Sequence, residues 1–80
     1  MDSDSYTHVI LDEDSGEAVG AVRGIDELAS GERFGVAFFF RASGPPSYVW
    51  LGDLHLLPLA DAAPHVRNHV AWEIEHTLVA

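Results

Sequence analysis

The chain has 80 residues and no cysteine, so disulfide bonds and thiolate metal sites are excluded and a hydrophobic core must hold one small domain, 1–80. Thirteen acidic residues are set against four arginines, lysine is absent, and the formal net charge is -9. This charge disfavours direct binding to DNA, RNA or an anionic membrane, and it favours a partner with a basic surface.

No stretch is long and apolar enough to span a bilayer, which takes about 20 residues. The first five residues are acidic and polar, whereas a secretory signal begins with basic residues followed by an apolar block. We therefore expect a cytoplasmic location.

The N-terminal part of the chain predicts a β-hairpin. Residues 6–11 and 18–23 are rich in β-branched residues, and the segment 12–17 between them has the composition of a turn, with four carboxylates at its tip. The next segment, 24–31, is flanked by glycines. We expect one helical turn there, with Ile25 and Leu28 facing inward.

The middle of the chain predicts two more strands. In 33–42, one face of the predicted strand carries Phe34, Val36, Phe38 and Phe40, and the other carries Gly35, Ala37, Phe39 and Arg41. The segment 43–47 contains two prolines and a glycine that indicate a turn. In 48–57 both faces are partly apolar, which favours a central strand, with a bulge at Gly52-Asp53. Its predicted apolar face consists of Tyr48, Trp50, Leu54 and Leu56.

From Pro58 onward the spacing of apolar residues becomes helical. Asp61 is a candidate N-cap, and Pro64 is tolerated in a first turn. The inward stripe is predicted as Ala63, Val66, Val70, Ile74 and Thr77, with Leu78 at its border. The fold class is therefore predicted as α+β: an antiparallel sheet of about four strands with a C-terminal helix packed on one face.

A domain of this size keeps only about 5 kcal/mol of net stability, so its core must be dense. Aromatic side chains bury the most apolar area and are the leading candidates. The predicted aromatic core is Phe34, Phe38, Phe39, Phe40, Tyr48, Trp50 and Trp72.

The acidic residues are unevenly distributed along the chain. Residues 1–35 hold nine acids and two arginines, whereas residues 36–80 hold four acids and two arginines. Such a set is either a solvated face or a surface that imitates the charge of a nucleic acid, which carries about one negative charge per 1.7 Å of duplex axis. The candidate partner-binding residues are Asp12, Glu13, Asp14, Glu17, Asp26, Glu27 and Glu32.

Three histidines share one side of the predicted helix: His65, His69 and His76. With Glu73 they offer donors for a divalent metal, but helical spacing aligns such residues easily by chance and the zinc-protease pattern is missing. We therefore expect no metal and no cofactor. The alternative use of this face is contact with a partner, with Trp72 as an anchor.

Catalysis is not indicated by any motif. There is no cysteine nucleophile, and the glycines fit neither nucleotide-binding fingerprint. The six serines lie in terminal or turn-like segments, where serine is common. We expect a protein that is not an enzyme.

In size, charge and lack of catalytic motifs the chain resembles the small acidic anti-CRISPR proteins encoded by phages. The resemblance rests on the acids of the first half: Asp2, Asp4, Asp12, Glu13, Asp14, Glu17, Asp26, Glu27 and Glu32. It implies a DNA-mimicking inhibitor in the host cytoplasm that blocks target-DNA recruitment. The implied partner is the basic DNA-binding channel of a CRISPR surveillance complex.

Two other functions fit the same composition. Proteins of halophiles are acidic and poor in lysine because their surfaces must stay hydrated in concentrated salt, so the chain is alternatively a salt-adapted interaction or regulatory protein. A further alternative is an immunity protein that caps the basic site of a nuclease.

Overall fold

The computed structural model describes residues 5–41 and 44–78. Within these ranges the chain forms five strands and one α-helix in the order β-β-β-β-β-α. They are β1 His8–Leu11, β2 Ala18–Glu27, β3 Arg33–Phe39, β4 Ser47–Trp50, β5 His55–Pro58 and α1 Pro64–Glu73. A 3₁₀ turn, Leu59–Asp61, precedes the helix, and a π-helical turn, Ile74–Leu78, follows it. The predicted α+β class with an antiparallel sheet and a C-terminal helix is confirmed, with one strand more than expected.

The sheet is antiparallel throughout, in the order β4-β3-β2-β1-β5. β4 and β5 therefore lie at opposite edges, although only residues 51–54 connect them. Five flat strands would place the edges about 19 Å apart, which is near the limit that so short a connection can span. The sheet must therefore curl strongly.

Each face of the curled sheet buries its own apolar cluster. The cluster on the helix side consists of Tyr6, Val9, Ala21, Phe38, Phe40, Val70 and Ile74. The cluster on the opposite side consists of Ile10, Val22, Ala37 and Leu51. Neighbouring residues such as Val9 and Ile10 fall in different clusters because side chains alternate along a strand. The helix covers one face, and the β4–β5 connection covers the other.

The helical turn predicted for 24–31 is wrong, because β2 continues to Glu27. The register of β2 against β3 shifts between Arg23 and Asp26, and Gly24 within this bulge has a φ of 62°. This left-handed angle suits glycine and allows the strand to continue beyond the irregularity. Ile25 does pack against the cluster on the side opposite the helix, but Leu28 is exposed.

The single strand predicted for 48–57 is also wrong. Its two halves are edge strands, and Gly52-Asp53 belongs to the connection between them rather than to a bulge. Leu51 is fully buried in the cluster on the side opposite the helix and fixes the start of this connection. The indole of Trp50 packs over Gly52, since a Cβ at this position would lie 2.1 Å from the ring.

The C-terminal helix begins later than predicted. Asp61 lies in the 3₁₀ turn, and the residue at the helix N-cap is Ala63, which makes no side-chain capping bond. Pro64 occupies the first turn, where its missing N–H costs nothing. The stripe formed by Val66, Val70 and Ile74 packs against the sheet as predicted, whereas Ala63 and Thr77 are exposed.

The predicted aromatic core is only partly correct. Phe38 and Phe40 are buried, but Tyr48, Trp50 and Trp72 are 57%, 47% and 55% exposed. Phe34 is partly buried and Phe39 is exposed. Tyr6, which the strand pattern did not single out for the core, is buried. The last residue of the strand predicted for 33–42 and the first residue of the turn predicted for 43–47 lie outside the described residues. None of the helices in the described ranges is long and apolar enough to cross a bilayer.

Candidate partner-binding surfaces

The seven candidate acids are all exposed, but they form two groups rather than one. The first group, here called the hairpin end, lies in the β1–β2 turn and consists of Asp12, Glu13, Asp14 and Glu17. The second group, here called the distal end, lies where β2 turns into β3 and consists of Asp26, Glu27 and Glu32. Because β2 has 10 residues and a strand rises about 3.3 Å per residue, the two ends are separated by roughly 30 Å.

The hairpin end is held in one shape by its own hydrogen bonds. The Asp12 carboxylate accepts from the Ser15 hydroxyl at 2.8 Å and from the Ser15 N–H at 3.3 Å. The backbone N–H of Gly16 donates to the Asp12 carbonyl at 2.8 Å, and Gly16 has a φ of 74°. The Ser15 side chain and then its backbone hold the pKa of Asp12 below the ordinary value of 3.8. Asp12 therefore serves the turn, whereas Glu13, Asp14 and Glu17 extend into solvent.

The distal end is ordered in a similar way. The N–H of Leu28 donates to the Glu32 carbonyl at 2.8 Å and closes the turn. The Ser30 hydroxyl donates to the Glu32 carboxylate at 3.2 Å. Asp26 accepts a hydrogen bond of 3.1 Å from the hydroxyl of Tyr48, a residue of the edge strand β4. This last bond connects an acid predicted from the sequence to an aromatic side chain that was predicted to be buried.

In the described residues, no arginine forms an ion pair with either acidic end. In residues 5–41 and 44–78, the one ion pair joins His69 Nε2 to Glu73 Oε2 at 3.7 Å, far from both ends in sequence. Arg67 instead donates to the carbonyl of Ala62 at 2.8 Å, and the Arg23 guanidinium lies over the ring of Tyr6. Arg33 is the register partner of Glu27, and Arg41 lines the same cleft as Glu17, so each acidic end has one arginine near it but keeps an excess of carboxylates.

A cleft of about 620 Å³ lies between the start of β2 and the helix. Its ionisable lining consists of Glu17, Arg41, His65, His69 and Glu73. Glu73 is only 6% exposed, and its Oε2 lies 3.7 Å from His69 Nε2, an ion pair when the histidine is protonated. Sequence reasoning noted Glu73 only as a possible metal ligand, since a helical stripe does not reveal which polar residue lies at its buried border.

The histidines predicted to share one face of the helix make different contacts. His69 meets the edge of the Phe40 ring with centroids 5.5 Å apart, whereas His76 stacks on Trp72 at 4.3 Å. The Nδ1 of His76 also donates to the Trp72 carbonyl at 2.8 Å. Among the described residues, no three histidine or carboxylate side chains are grouped so that they could hold a metal ion.

Two exposed aromatic residues of β4, Tyr48 and Trp50, and the partly buried Phe34 of β3 form a surface that the sequence did not predict. Phe34 pairs with Trp50 across the two strands, and the rings of Phe34 and Tyr48 stack with centroids 5.8 Å apart and an angle of 12°. The available signal was the pair of prolines before Tyr48, because a strand that follows prolines is often an edge strand with an open side.

The sequence matches no protein-family model, and comparisons with curated proteins and with solved structures give no significant match.

Proposed function

We propose that this chain is a non-catalytic binding domain whose acidic ends contact a basic surface of a partner protein. The observation that carries the proposal is a set of seven exposed carboxylates at the two ends of β2, none of which forms an ion pair with an arginine in the described ranges. Buried or paired acids would indicate a structural role. Exposed acids on hydrogen-bonded turns present charge without a large ordering cost on binding.

The specific form of the proposal is imitation of DNA. The two acidic ends are roughly 30 Å apart along β2, and one turn of duplex DNA is about 34 Å. A basic groove that follows the phosphates of a duplex could therefore meet both ends at once. The DNA-binding channel of a CRISPR surveillance complex is a basic groove of this kind. We therefore propose that the chain is an anti-CRISPR inhibitor that blocks target-DNA recruitment.

The test is a tagged pull-down from a bacterial lysate with active CRISPR machinery, eluted with rising salt. We expect recovery of a nucleic-acid-binding complex that duplex DNA displaces, because decoy and DNA would compete for one groove. Glu13→Gln, Asp14→Asn and Glu17→Gln together should weaken capture at least tenfold. Asp12 is left intact in this variant because it holds the turn.

A matched control removes the same charge elsewhere. Asp53, Asp61 and Glu75 are exposed and belong to neither acidic end, so Asp53→Asn, Asp61→Asn and Glu75→Gln change the net charge equally. This control variant should capture the complex almost as well as the natural sequence. Equal losses in both variants, or capture that duplex DNA does not reduce, would refute the proposal. Recovery of a single nuclease would favour the immunity-protein alternative.

Salt adaptation is the second candidate function. It is favoured by the spread of the acids over two separate ends and by the absence of lysine, since hydration at high salt needs no single binding face. The two proposals differ in the salt concentration at which the protein should fold: a salt-adapted protein requires concentrated salt, whereas a DNA-mimicking inhibitor does not.

A further inference from the structure

The helix leaves part of its own side of the sheet uncovered. On this side, Asp26, Phe34 and Trp50 form one row across β2, β3 and β4, because each is the register partner of the next. Val36 and Tyr48 form part of the adjacent row. The helical end of the chain packs on this face through Val70 and Ile74, against Val9, Ala21 and Phe38. The half next to the edge strand β4 thus exposes aromatic rings.

Tyr48 links the aromatic residues to the acid. Its ring lies nearly parallel to that of Phe34, and its hydroxyl reaches the Oδ2 of Asp26 at 3.1 Å. Partial desolvation, and then the bond to Asp26, raises the pKa of Tyr48 above its ordinary value of 10.0, so the hydroxyl remains a donor at neutral pH. Within the described part of the chain, the other oxygen of Asp26 has no hydrogen-bond partner.

Trp50 is held in place without being buried. Its indole occupies the space that a side chain at position 52 would need, with ring atoms 2.1 to 2.9 Å from the place of a Gly52 Cβ. Nearly half of its surface remains open to solvent. An aromatic side chain that is fixed by packing loses little entropy when a ligand stacks on it.

We propose that Phe34, Tyr48, Trp50 and Asp26, here called the aromatic surface, bind an arginine side chain of the partner protein. The inference rests on the proposed function, which requires a basic partner. A planar guanidinium stacks on aromatic rings and also donates to a carboxylate in the same plane, and a lysine ammonium does this less well. Glu27 follows Asp26 directly, and Glu32 lies on the other side of the turn that joins β2 to β3. Arg33 opposes Glu27, and Arg23 opposes Val36. Three carboxylates therefore stand against two guanidinium groups near the site, and this excess favours a cationic ligand over an anionic one.

The test uses an oligo-arginine and an oligo-lysine peptide of the same length and the same net charge. Binding is followed by NMR through the indole N–H signals of the two tryptophans. We expect both peptides to bind, the arginine peptide about threefold more tightly, as a cation–π contact at an exposed site would give. The indole of Trp50 should shift with the arginine peptide, whereas that of Trp72 should not.

Tyr48→Leu removes the ring and the donor from the aromatic surface, and Trp72→Leu is the matched control on an equally exposed aromatic residue. Tyr48→Leu should abolish the preference for arginine and leave the binding of the lysine peptide unchanged, and the control should preserve the preference. Asp26→Asn keeps a hydrogen-bond acceptor for Tyr48 but removes the charge, and it should also reduce the preference.

The outcomes separate the two proposals. Equal affinity for both peptides, or an arginine preference that survives Tyr48→Leu, would overturn the arginine site while the acidic binding function stands. An absence of binding to either peptide would count against both. Because the shift of the Trp50 indole is measured in the natural sequence, a variant that fails to fold still leaves the site tested.

Discussion

At the scale of single residues, the acids of the two turns have different roles. Asp12 accepts two hydrogen bonds from Ser15 and shapes the turn. Glu13 and Asp14 lie beside it in the chain and are exposed. One carboxylate therefore orders the hairpin end so that its neighbours can present their charge. These residues count equally toward the net charge, and only their contacts show that their roles differ.

The role of Asp12 gives a prediction about pH. Since the folded pKa of Asp12 is lowered by its bonds to Ser15, its stabilising contribution is present above pH 3.8 and is lost as the pH falls through the lower, folded value. Asp12→Asn should therefore show a smaller loss of stability on acidification below about pH 4. Urea unfolding at a series of pH values measures this difference. Parallel stability curves for the two proteins would contradict the assigned role.

The exposure of individual residues was only partly predictable from the sequence. Acids are exposed by default because burying an unpaired charge is costly, and all seven candidates follow this rule. Tyr48 and Trp50 do not follow the corresponding rule for aromatic residues. Their burial depends on whether a neighbour covers the strand, and this is decided by tertiary structure.

At the scale of elements, the residue pattern predicted where strands lie, but it did not predict where a strand bulges or where one strand ends and another begins. The hairpin was identified from its β-branched residues and the turn composition of 12–17, and β3 from the large apolar residues at every second position from Phe34 to Phe40. Gly24 was read as the start of a helical turn, but it is a glycine of a bulge within β2. Gly52 was read as a bulge, but it lies in the connection between two edge strands. A glycine signals a special backbone angle or a close contact without stating which element surrounds it.

The docking of the helix gives a prediction about stability. Ile74 is fully buried in the cluster between helix and sheet, so Ile74→Ala should leave a cavity and cost about 3 kcal/mol. The loss is a large part of the roughly 5 kcal/mol available to a domain of this size. Trp72→Ala, on the exposed side of the same helix, should change stability by less than about 0.5 kcal/mol.

Thermal or urea unfolding, followed by circular dichroism, measures both variants. A similar, small effect of the two substitutions would mean that the helix does not pack on the sheet as described.

At the scale of the whole molecule, the fold places the acidic residues away from the apolar clusters. The sheet buries an apolar cluster on each face, and the turns at the two ends of β2 carry the acids. The sequence predicted the class of this architecture, because segments with strand-like spacing of apolar residues followed by one segment with helical spacing are compatible with few other arrangements. It did not predict that β5 returns to pair with β1, because pairing between distant strands depends on side-chain packing across the sheet.

The central claim is that the acids are kept for a partner and are not required for hydration in concentrated salt. Urea unfolding at two ionic strengths tests it most directly: about 0.01 M, where the Debye length is about 30 Å, and about 1 M, where it is about 3 Å. We predict a cooperative transition at both, with a modest gain at high salt because repulsion within a chain of formal charge -9 is screened. A chain that is unfolded at the lower ionic strength and folds only at the higher one would contradict the claim and identify salt adaptation as the reason for its acidity.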